Sequence, residues 1–463
     1  MSKKKSIHFE ISERKVLLRI FDVLSVLLML AVIGTVFNFD YFDITASNFY
    51  WTIVLALYIT IFGSVFEMYN LQVASNQYQV TKSIILTSSS TVLFYLLTPI
   101  YTPVLPSNRL QILFFFLSVV GALFTWRMLY VKYFASQRFV KRVIMICDGE
   151  QLGELVNSLE SADPHYRVVG YVNSDIANNG ALYKLVQLVE IDNLLQFAKE
   201  NRASEIVIAS QNTDGITVNL YNQLIQMLEN GYIIREYTQV YEHITQRIPV
   251  QYVARDFYRY FPFSRSNQNH LYLVVVRILE IFTALIGLTF GLILLPLIVV
   301  GNLLGNRGKL FYTQQRVGRN GKVFEILKFR TMVKNAEKDG AVFTTTNDRR
   351  ITAFGKFLRK TRIDEFPQFF NILKGDMAVI GPRPERPVFV EEIARVMPFY
   401  ETRHVVKPGL TGWAQVNYSY GQTITDSLIK LQYDLYYIKH RSIFLDVNIM
   451  VKTFSTVLFY RGQ

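Results

Sequence analysis

Four long hydrophobic segments fill the first third of the chain, at residues 16–37, 49–70, 83–101 and 110–133. Each is close to the ~20 apolar residues that cross a bilayer as a helix, so the pattern predicts four transmembrane helices. The third segment is the most polar, because residues 87–91 carry hydroxyl side chains and Pro99 follows. Lys and Arg flank this region at both ends but are absent from 38–48, which predicts that both ends face the cytoplasm.

Residues 141–250 change to a soluble pattern. Strand-like stretches at 143–147, 166–172, 205–210 and 231–237 alternate with helix-like ones, which predicts a parallel, Rossmann-like α/β domain. The first strand leads into Asp148-Gly149, not into a G-x-G-x-x-G motif, so a regulatory or dimerising role is favoured over dinucleotide binding. A homodimer is therefore one expected assembly. Cys147 at the strand end is interpreted as a packed core residue, not a reactive thiol.

A fifth hydrophobic segment covers residues 271–304 and is basic on both flanks. A simple crossing would place the most basic part of the chain outside the cell, against the usual distribution of Lys and Arg. Pro296, with Gly287, Gly291 and Gly301 nearby, offers a break at which the helix turns back. A re-entrant membrane helix is therefore predicted, although backbone groups freed at the break need polar partners. The predicted domains are 1–140 (transmembrane), 141–250 (α/β) and 251–463 (catalytic).

Two stretches near the end of the chain have helical spacing of apolar residues. Leu428, Leu431, Leu435 and Ile438 fit an amphipathic helix at the membrane interface, and an ordinary helix on a soluble core fits them as well. The segment 443–460 is short for a span and contains charged residues, so it too is expected at the interface.

Composition narrows the class of partner. Hydrophobic residues make up 51% of the chain and the net charge is +13, with 26 Lys and Arg against 14 Asp and Glu after residue 300. In a membrane-attached chain, such a basic domain favours anionic lipid or a phosphorylated substrate over nucleic acid. One cysteine excludes an intrachain disulfide, and the six histidines show no metal-ligand spacing.

The adjacent carboxylates Asp364 and Glu365 are the main candidate for chemistry. They precede an apolar helical pattern, so Asp364 is expected to be a helix N-cap, with four basic residues just before it. A cap beside a favourable helix dipole is the simplest explanation of this pair. In such basic surroundings, however, two carboxylates also suggest a bridging Mg²⁺ or direct attack on a phosphorus.

Further cations are candidates for binding phosphate. Arg383 and Arg386 lie in the Pro-stiffened GPRPERP turn, Lys328 and Arg330 follow an apolar strand-like stretch, and Arg359 precedes the carboxylates. Solvated surface charges, or a pairing of Arg359 with Glu365 or Asp376, are the alternatives. For Trp413, three roles stay open, which are an interfacial anchor, a stacking surface for uracil, and packing under a loop.

Five motifs occur in order along the second half of the chain. These are KFRTM (328–332), RIDEFPQFFNILKGDM (362–377), GPRPERP (381–387), KPGLTGWAQV (407–416) and YDLYYIKHRS (433–442). Together they resemble the catalytic domain of bacterial polyprenyl-phosphate sugar-1-phosphate transferases, the monotopic phosphoglycosyl transferases. The four-span region and the α/β domain resemble the large form of that family. Ile363 and Phe366 stand where the family more often has Leu, and Arg362 where Ser is frequent.

The resemblance implies transfer of a hexose-1-phosphate from a UDP-sugar to polyprenyl (undecaprenyl) phosphate, with release of UMP. Asp364 would be the nucleophile, Glu365 would bind Mg²⁺, and Lys328, Arg330, Arg359, Arg383 and Arg386 would bind substrate. The implied location is the bacterial inner membrane, with the catalytic domain facing the cytoplasm and starting a surface glycan. A glycosyltransferase that releases UDP and a non-enzymatic membrane sensor are the alternatives; nucleic-acid binding would explain only the charge. The sugar stays open, with a preference for a plain hexose.

Overall fold

The computed structural model describes residues 11–37, 41–42, 48–69, 74, 77–106, 108–134, 140–163, 166–173, 186–209, 217–250, 269–334, 336, 348–397, 399–418 and 423–458. The chain divides into two compact units, Met1–Thr245 and Gln246–Gln463. Two basic segments lie outside the described residues, namely the N-terminal flank and the flank before residue 271 that contains Arg265.

Four apolar helices form the first part of the N-terminal unit. Their bounds are Ile11–Phe37 (α1), Tyr50–Val65 (α2), Gln77–Leu97 (α3) and Arg109–Leu129 (α4), the last continued by a π-helical turn at Tyr130–Phe134. By length and composition α1, α3 and α4 are able to cross a membrane, whereas α2 is a shorter apolar helix of 16 residues. The second predicted span therefore falls short, at roughly 24 Å of helix against a hydrocarbon core of roughly 30 Å.

Polar side chains of this bundle face its interior. Asp22 accepts hydrogen bonds from Arg127 Nε at 2.9 Å and Nη2 at 2.6 Å, and both side chains are fully buried. Thr87, Ser88 and Thr91 of α3 are buried as well. Three of the five hydroxyl residues that make the third hydrophobic segment polar thus face the bundle interior, as expected for polar groups in a membrane bundle, whereas Ser89 is exposed.

A five-stranded sheet forms the second part of this unit. The strands are Lys141–Cys147 (β1), Tyr166–Asn173 (β2), Gln187–Leu188 (β3), Glu205–Ile208 (β4) and Ile233–Glu236 (β5), and the helices are Leu152–Glu160 (α5), Leu194–Glu200 (α6), Val218–Glu229 (α7) and Tyr237–Thr245 (α8). Their order is β3-β2-β1-β4-β5 with every pairing parallel, which confirms the predicted parallel α/β domain. Cys147 is a packed core residue, since burial raises the pKa of its thiol to about 12.

The C-terminal unit combines one long apolar helix with short strands and helices. Its helices are His270–Gly301 (α9), Ala353–Lys360 (α10), Gln368–Lys374 (α11), Pro387–Val396 (α12), Trp413–Asn417 (α13), Ile424–His440 (α14) and Ile443–Leu458 (α15). The strands Phe311–Val317 (β6) and Val323–Phe329 (β7) form an antiparallel hairpin, and Ala378–Ile380 (β8) pairs in parallel with Gly409–Thr411 (β9).

Helix α9 is the fifth hydrophobic segment, and it does not end at Pro296. The helix continues to Gly301 and closes in a π-helical turn at Asn302–Asn306. One side of α9 packs along the unit, while the other leaves large apolar residues such as Leu271 and Leu297 more than two-thirds exposed.

The glycines of α9 serve close packing instead of a helix break. A Cβ at Gly287 would overlap the ring of Phe369, and one at Gly301 would overlap the ring of Phe354. The absence of a side chain therefore lets the aromatic residues of α10 and α11 press against the helix backbone. The prediction of a helix break at Pro296, with Gly287, Gly291 and Gly301 nearby, is therefore wrong, because the helix is continuous through these residues.

The core of the unit decides two other open questions. Leu431, Leu435 and Ile438 of α14 are fully buried, so this helix packs on a protein core and its interpretation as an interfacial helix is wrong. Trp413 is also buried, with Nε1 donating to the carbonyl oxygen of Gln246 at 3.2 Å. It packs under a loop, which excludes the two ligand-facing or lipid-facing roles considered for it. In α15, by contrast, Phe444 is 88% exposed.

Candidate active site

The two carboxylates lie in a 3₁₀ turn, Ile363–Glu365, between α10 and α11. Asp364 is therefore not the N-cap of the following helix, because Pro367 holds that position. Arg362, just before the turn, has left-handed backbone angles, with φ of 59°. A non-glycine residue in this conformation costs ~1 kcal/mol or more, which other contacts of the turn must offset. We call Arg362–Glu365 the catalytic turn.

Glu365 is surrounded by cations. Its Oε1 accepts hydrogen bonds from Lys328 Nζ at 3.2 Å and from Arg383 Nη2 at 3.0 Å, and Arg362 Nη1 lies 3.7 Å from Oε2. Burial alone would raise the pKa of this carboxyl, but the three cations outweigh burial and hold the pKa below its usual range. Glu365 is thus a fixed negative charge that holds three positive side chains in place.

Asp364 has the opposite environment. It is only 7% exposed, and its Oδ1 has no hydrogen-bond partner among the described residues. Burial and the neighbouring charge of Glu365 raise the pKa of Asp364 to about 6, although Lys328, Arg359 and Arg362 act in the other direction. An unpaired, poorly solvated carboxylate that is still ionised at neutral pH is a good nucleophile toward an electrophile brought close to it.

Asn371 explains why Lys328 reaches the turn. Its Oδ1 accepts from the backbone N–H of Leu327 at 3.0 Å, and its Nδ2 donates to the carbonyl oxygen of Glu325 at 2.7 Å. One amide side chain therefore joins α11 to the edge of β7 by two hydrogen bonds. Lys328, next along β7, is placed beside Glu365 as a result.

Arg359 and Arg330 occupy different positions relative to the carboxylates. Arg359 Nε donates to Thr331 Oγ1 at 2.9 Å, and its charge lies close enough to influence Asp364. Arg330 points elsewhere, with its side chain beside Gly308. Its backbone N–H bonds to Leu310, which extends the β6–β7 hairpin.

The GPRPERP segment forms a braced loop after β8. Arg403 Nη2 donates to the carbonyl oxygen of Arg383 at 3.0 Å and to Asp434 Oδ2 at 2.7 Å, and both Arg403 and Asp434 are buried. On the other side, Arg316 Nη1 donates to the carbonyl oxygen of Pro384 at 3.0 Å. The loop thereby holds Arg383 against Glu365.

The structure thus brings Asp364, Glu365, Lys328, Arg359 and Arg383 together. Arg386 lies at the start of α12 with its guanidinium 5.6 Å from the Phe389 ring centroid, and Arg330 lies beside Gly308. The sequence placed Arg362 among the four basic residues before the carboxylates, where anions were expected to bind. It indicated no role in the site for three other residues that shape it, namely Arg316, Arg403 and Asp434. Arg403, in a 3₁₀ turn, and Asp434, in α14, form a buried ion pair. The spacing of apolar residues in the sequence does not predict such a contact.

The region that contains the site matches a known protein family. The family described as "Bacterial sugar transferase" matches residues 271–460, which contain every residue of the site. A Bacillus subtilis (strain 168) protein, provisionally named an undecaprenyl-phosphate N-acetylgalactosaminyl 1-phosphate transferase, is 46% identical over 141 residues, which are 30% of this chain and 79% of the relative. The chain belongs to the bacterial sugar transferase family.

Two longer relatives are also similar to this chain. An Aeromonas hydrophila protein named UDP-N-acetylgalactosamine-undecaprenyl-phosphate N-acetylgalactosaminephosphotransferase is 40% identical over 220 residues, 48% of this chain and 51% of the relative. A Xanthomonas campestris pv. campestris protein named UDP-glucose:undecaprenyl-phosphate glucose-1-phosphate transferase is 39% identical over 209 residues, 44% of this chain and 40% of the relative. The match thus spans about half the length of these members of the family, or less.

Proposed function

We propose that this chain transfers a sugar-1-phosphate from a UDP-sugar to undecaprenyl phosphate. Relatives of this chain carry names for this reaction, with N-acetylgalactosamine, glucose and galactose as the sugars. The observation that carries the proposal is the division of roles in the catalytic turn. One carboxylate is locked among cations, and its neighbour is buried, unpaired and free to react.

The proposed reaction has two displacements. The ionised carboxylate of Asp364 attacks the β-phosphorus of the UDP-sugar, an O–P bond forms, the bond between the β-phosphorus and the bridging oxygen breaks, and UMP leaves. A phosphate oxygen of undecaprenyl phosphate then attacks the phosphorus of the aspartyl phosphosugar. The acyl phosphate bond breaks, the lipid diphosphate sugar forms, and the Asp364 carboxylate is regenerated.

The cations around Asp364 suit the charge of this reaction. Lys328, Arg362 and Arg383 are held at fixed places by Glu365, so they need little rearrangement when a diphosphate arrives. Arg359 extends the positive region toward α10. A diphosphate bound among these side chains would present its β-phosphorus to the free oxygen of Asp364.

Magnesium belongs to this proposal as a cofactor. Mg²⁺ is often held by one or two carboxylates together with substrate phosphates, and the Glu365 carboxylate, next to the attacking Asp364, would be its protein ligand. Among the described residues no group of three or more metal-ligating side chains occurs, so the substrate would complete the coordination. When bound, the ion would neutralise part of the negative charge of the diphosphate.

Helix α9 accounts for access to a lipid substrate. It contacts the rest of the C-terminal unit near both of its ends. Tyr272 donates a hydrogen bond to Asp446 at 2.6 Å, and Asn306, in the turn after the helix, donates one to the carbonyl oxygen of Arg330 at 2.7 Å. Phe366 and Phe369, beside the catalytic turn, pack near the middle of the helix against Gly291 and Gly287. A helix crossing the bilayer upright would carry the charged turn to mid-membrane, which is costly. A re-entrant or in-plane placement at the cytoplasmic face of the bacterial inner membrane is therefore proposed.

The nucleotide product separates this function from its main alternative. Full-length protein with undecaprenyl phosphate and Mg²⁺ is expected to release UMP from at least one of UDP-glucose, UDP-galactose and UDP-N-acetylgalactosamine. Release of UDP would instead indicate transfer of the sugar alone. If no donor yields a nucleotide product while the folded protein still binds UDP-sugar, the transferase proposal is wrong.

A further inference from the structure

A second group of cations lies at the opposite end of α11 from the catalytic turn. Arg277 of α9 donates to the carbonyl oxygens of Ile372 and Leu373, both at 2.8 Å, and so caps the C-terminus of α11. Lys407, just before β9, reaches the same place. Arg277 Nη2 and Lys407 Nζ each lie 3.7 Å from the position that a Cβ would take on Gly375. From the helical rise, this end of α11 is roughly 15 Å from Asp364.

The positive charge of this second group exceeds its negative charge. Of the carboxylates at this end of α11, Glu280 is already 3.1 Å from Arg277 Nη1, and Asp376 pairs with Lys374. Lys407 is half-buried, and its ammonium group has no hydrogen bond or ion pair within the part of the chain that the structure describes. Burial lowers the pKa of Lys407, Glu280 opposes this, and Arg277, Arg319 and Arg441 lower it further. A half-buried cation in such surroundings would gain from an anionic ligand.

The surface beside Arg277 is apolar. Val274, Ile278 and Ile281 are its neighbours on α9 and are 55%, 61% and 38% exposed. The cations thus border a hydrocarbon-like face, which suits a ligand with a phosphate at one end and a hydrocarbon chain at the other. A role for Arg277 as a helix cap alone would leave the Lys407 ammonium group without a direct hydrogen bond or ion pair among the described residues.

We propose that Arg277 and Lys407 bind the phosphate of a membrane lipid whose chain lies along α9. The lipid phosphate comes either from a phospholipid or from a polyprenyl phosphate, since both present the same chemistry. The site is separate from the Asp364 turn and holds its ligand without reacting with it. It fixes the depth of α9 in the leaflet through a headgroup contact, in addition to burial of the apolar face.

Lys407 is the residue to change, because Arg277 also caps α11. Lys374 supplies a matched control, since it lies at the same end of α11 but is 63% exposed and pairs with Asp376 at 3.1 Å. The variants are therefore Lys407→Gln, Lys407→Arg and Lys374→Gln in the full chain. Asp364→Asn keeps Arg277 and Lys407, so it should bind phosphatidate, which is not a substrate of the proposed reaction, as the wild type does; this comparison separates the site from the catalytic one.

Native mass spectrometry of the detergent-solubilised full chain measures the binding. The probes are phosphatidate, a polyprenyl phosphate and inorganic phosphate. Loss of one headgroup contact is expected to weaken binding of the lipid phosphates about five- to tenfold in Lys407→Gln, with Lys407→Arg and Lys374→Gln close to wild type. The tighter of the two lipid probes identifies the source. Unchanged lipid binding in Lys407→Gln would overturn the proposal, as would inorganic phosphate binding as tightly as the lipids.

Discussion

Asp364 and Glu365 are adjacent in the chain, yet their surroundings drive their protonation in opposite directions. Cations keep Glu365 ionised, whereas burial beside Glu365 raises the pKa of Asp364 to about 6. Two carboxyl groups with separated pKa values in one site are a common sign of divided chemical roles. Here one is an electrostatic support and the other a candidate nucleophile.

This arrangement predicts that Asp364 destabilises the folded protein. Its folded pKa, about 6, exceeds the ordinary value of 3.8, so the folded state takes up protons that the unfolded state does not. The contribution is therefore unfavourable at neutral pH and disappears as the pH falls below the ordinary value. Asp364→Asn should raise the Tm of the substrate-free protein at pH 7.5 by about 2–4 °C, measured in detergent. The gain should shrink toward pH 4, and a lower Tm in the variant at pH 7.5 would contradict this account.

The same pKa sets the pH dependence of activity. Only the ionised carboxylate of Asp364 attacks phosphorus, so kcat/KM should rise with pH through about 6 and level off above pH 7. Initial rates between pH 5 and 8, at saturating lipid acceptor, measure this profile. A rate that stays constant across this range would exclude Asp364 as the group whose ionisation limits the reaction.

At the scale of the elements, the site depends on how closely α11 approaches α9. Gly287 receives the Phe369 ring, and a Cβ there would overlap it, whereas a Cβ at Gly291 would lie 3.5 Å from Phe366, an ordinary contact. Gly287→Val should therefore push α11 and the catalytic turn outward. We expect a loss of activity of at least about tenfold, because ångström-scale displacement of a reacting group costs that much or more.

Gly291→Ala is the matched control for Gly287→Val, and it should keep nearly full activity. Both variants are compared by nucleotide release from the preferred UDP-sugar, with membrane-bound protein quantified in parallel. Equal activity of the two would show that the α9–α11 contact does not position the turn.

The elements also show what sequence can and cannot reveal. The parallel sheet was predictable because its strands are short apolar runs separated by helical patterns. The short 3₁₀ turn before α11 was not, since the same residues fit a helix N-cap equally well. Nor was the burial of α14 predictable, because Leu431 and Leu435 give one apolar stripe whether a helix meets lipid or a protein core. The carboxylate pair stood out in the sequence because two acidic residues lie among many basic ones. The ion pair of Arg403 with Asp434, which holds the Arg383 loop, joins residues far apart in the sequence and was not predictable.

For the whole molecule, the central question is which side of the membrane each end of α9 faces. The 32 residues of α9 span roughly 48 Å, which is longer than the roughly 30 Å hydrocarbon core. The helix also contacts the rest of the C-terminal unit along its length. Both ends are therefore expected on the cytoplasmic side.

Cysteine labelling tests this topology. His270 and Lys309 are exposed residues at the two ends of the α9 segment, and the native Cys147 is buried with its thiol pKa raised to about 12, so it should stay unlabelled. His270→Cys and Lys309→Cys should both react with an impermeant maleimide in inside-out vesicles and neither in intact spheroplasts. Labelling of the two positions from opposite sides would establish a simple crossing. The wild type serves as the control for Cys147.

The most direct test of the central claim is to trap the covalent intermediate. Full-length protein is incubated with Mg²⁺ and a UDP-sugar carrying a labelled β-phosphate, without lipid acceptor, and the protein is then analysed by peptide mass spectrometry. We predict one labelled phosphosugar per active site on Asp364 with an equal amount of UMP, chased off by undecaprenyl phosphate, and no label in Asp364→Asn. Label on another residue, or full turnover by Asp364→Asn, would contradict the account.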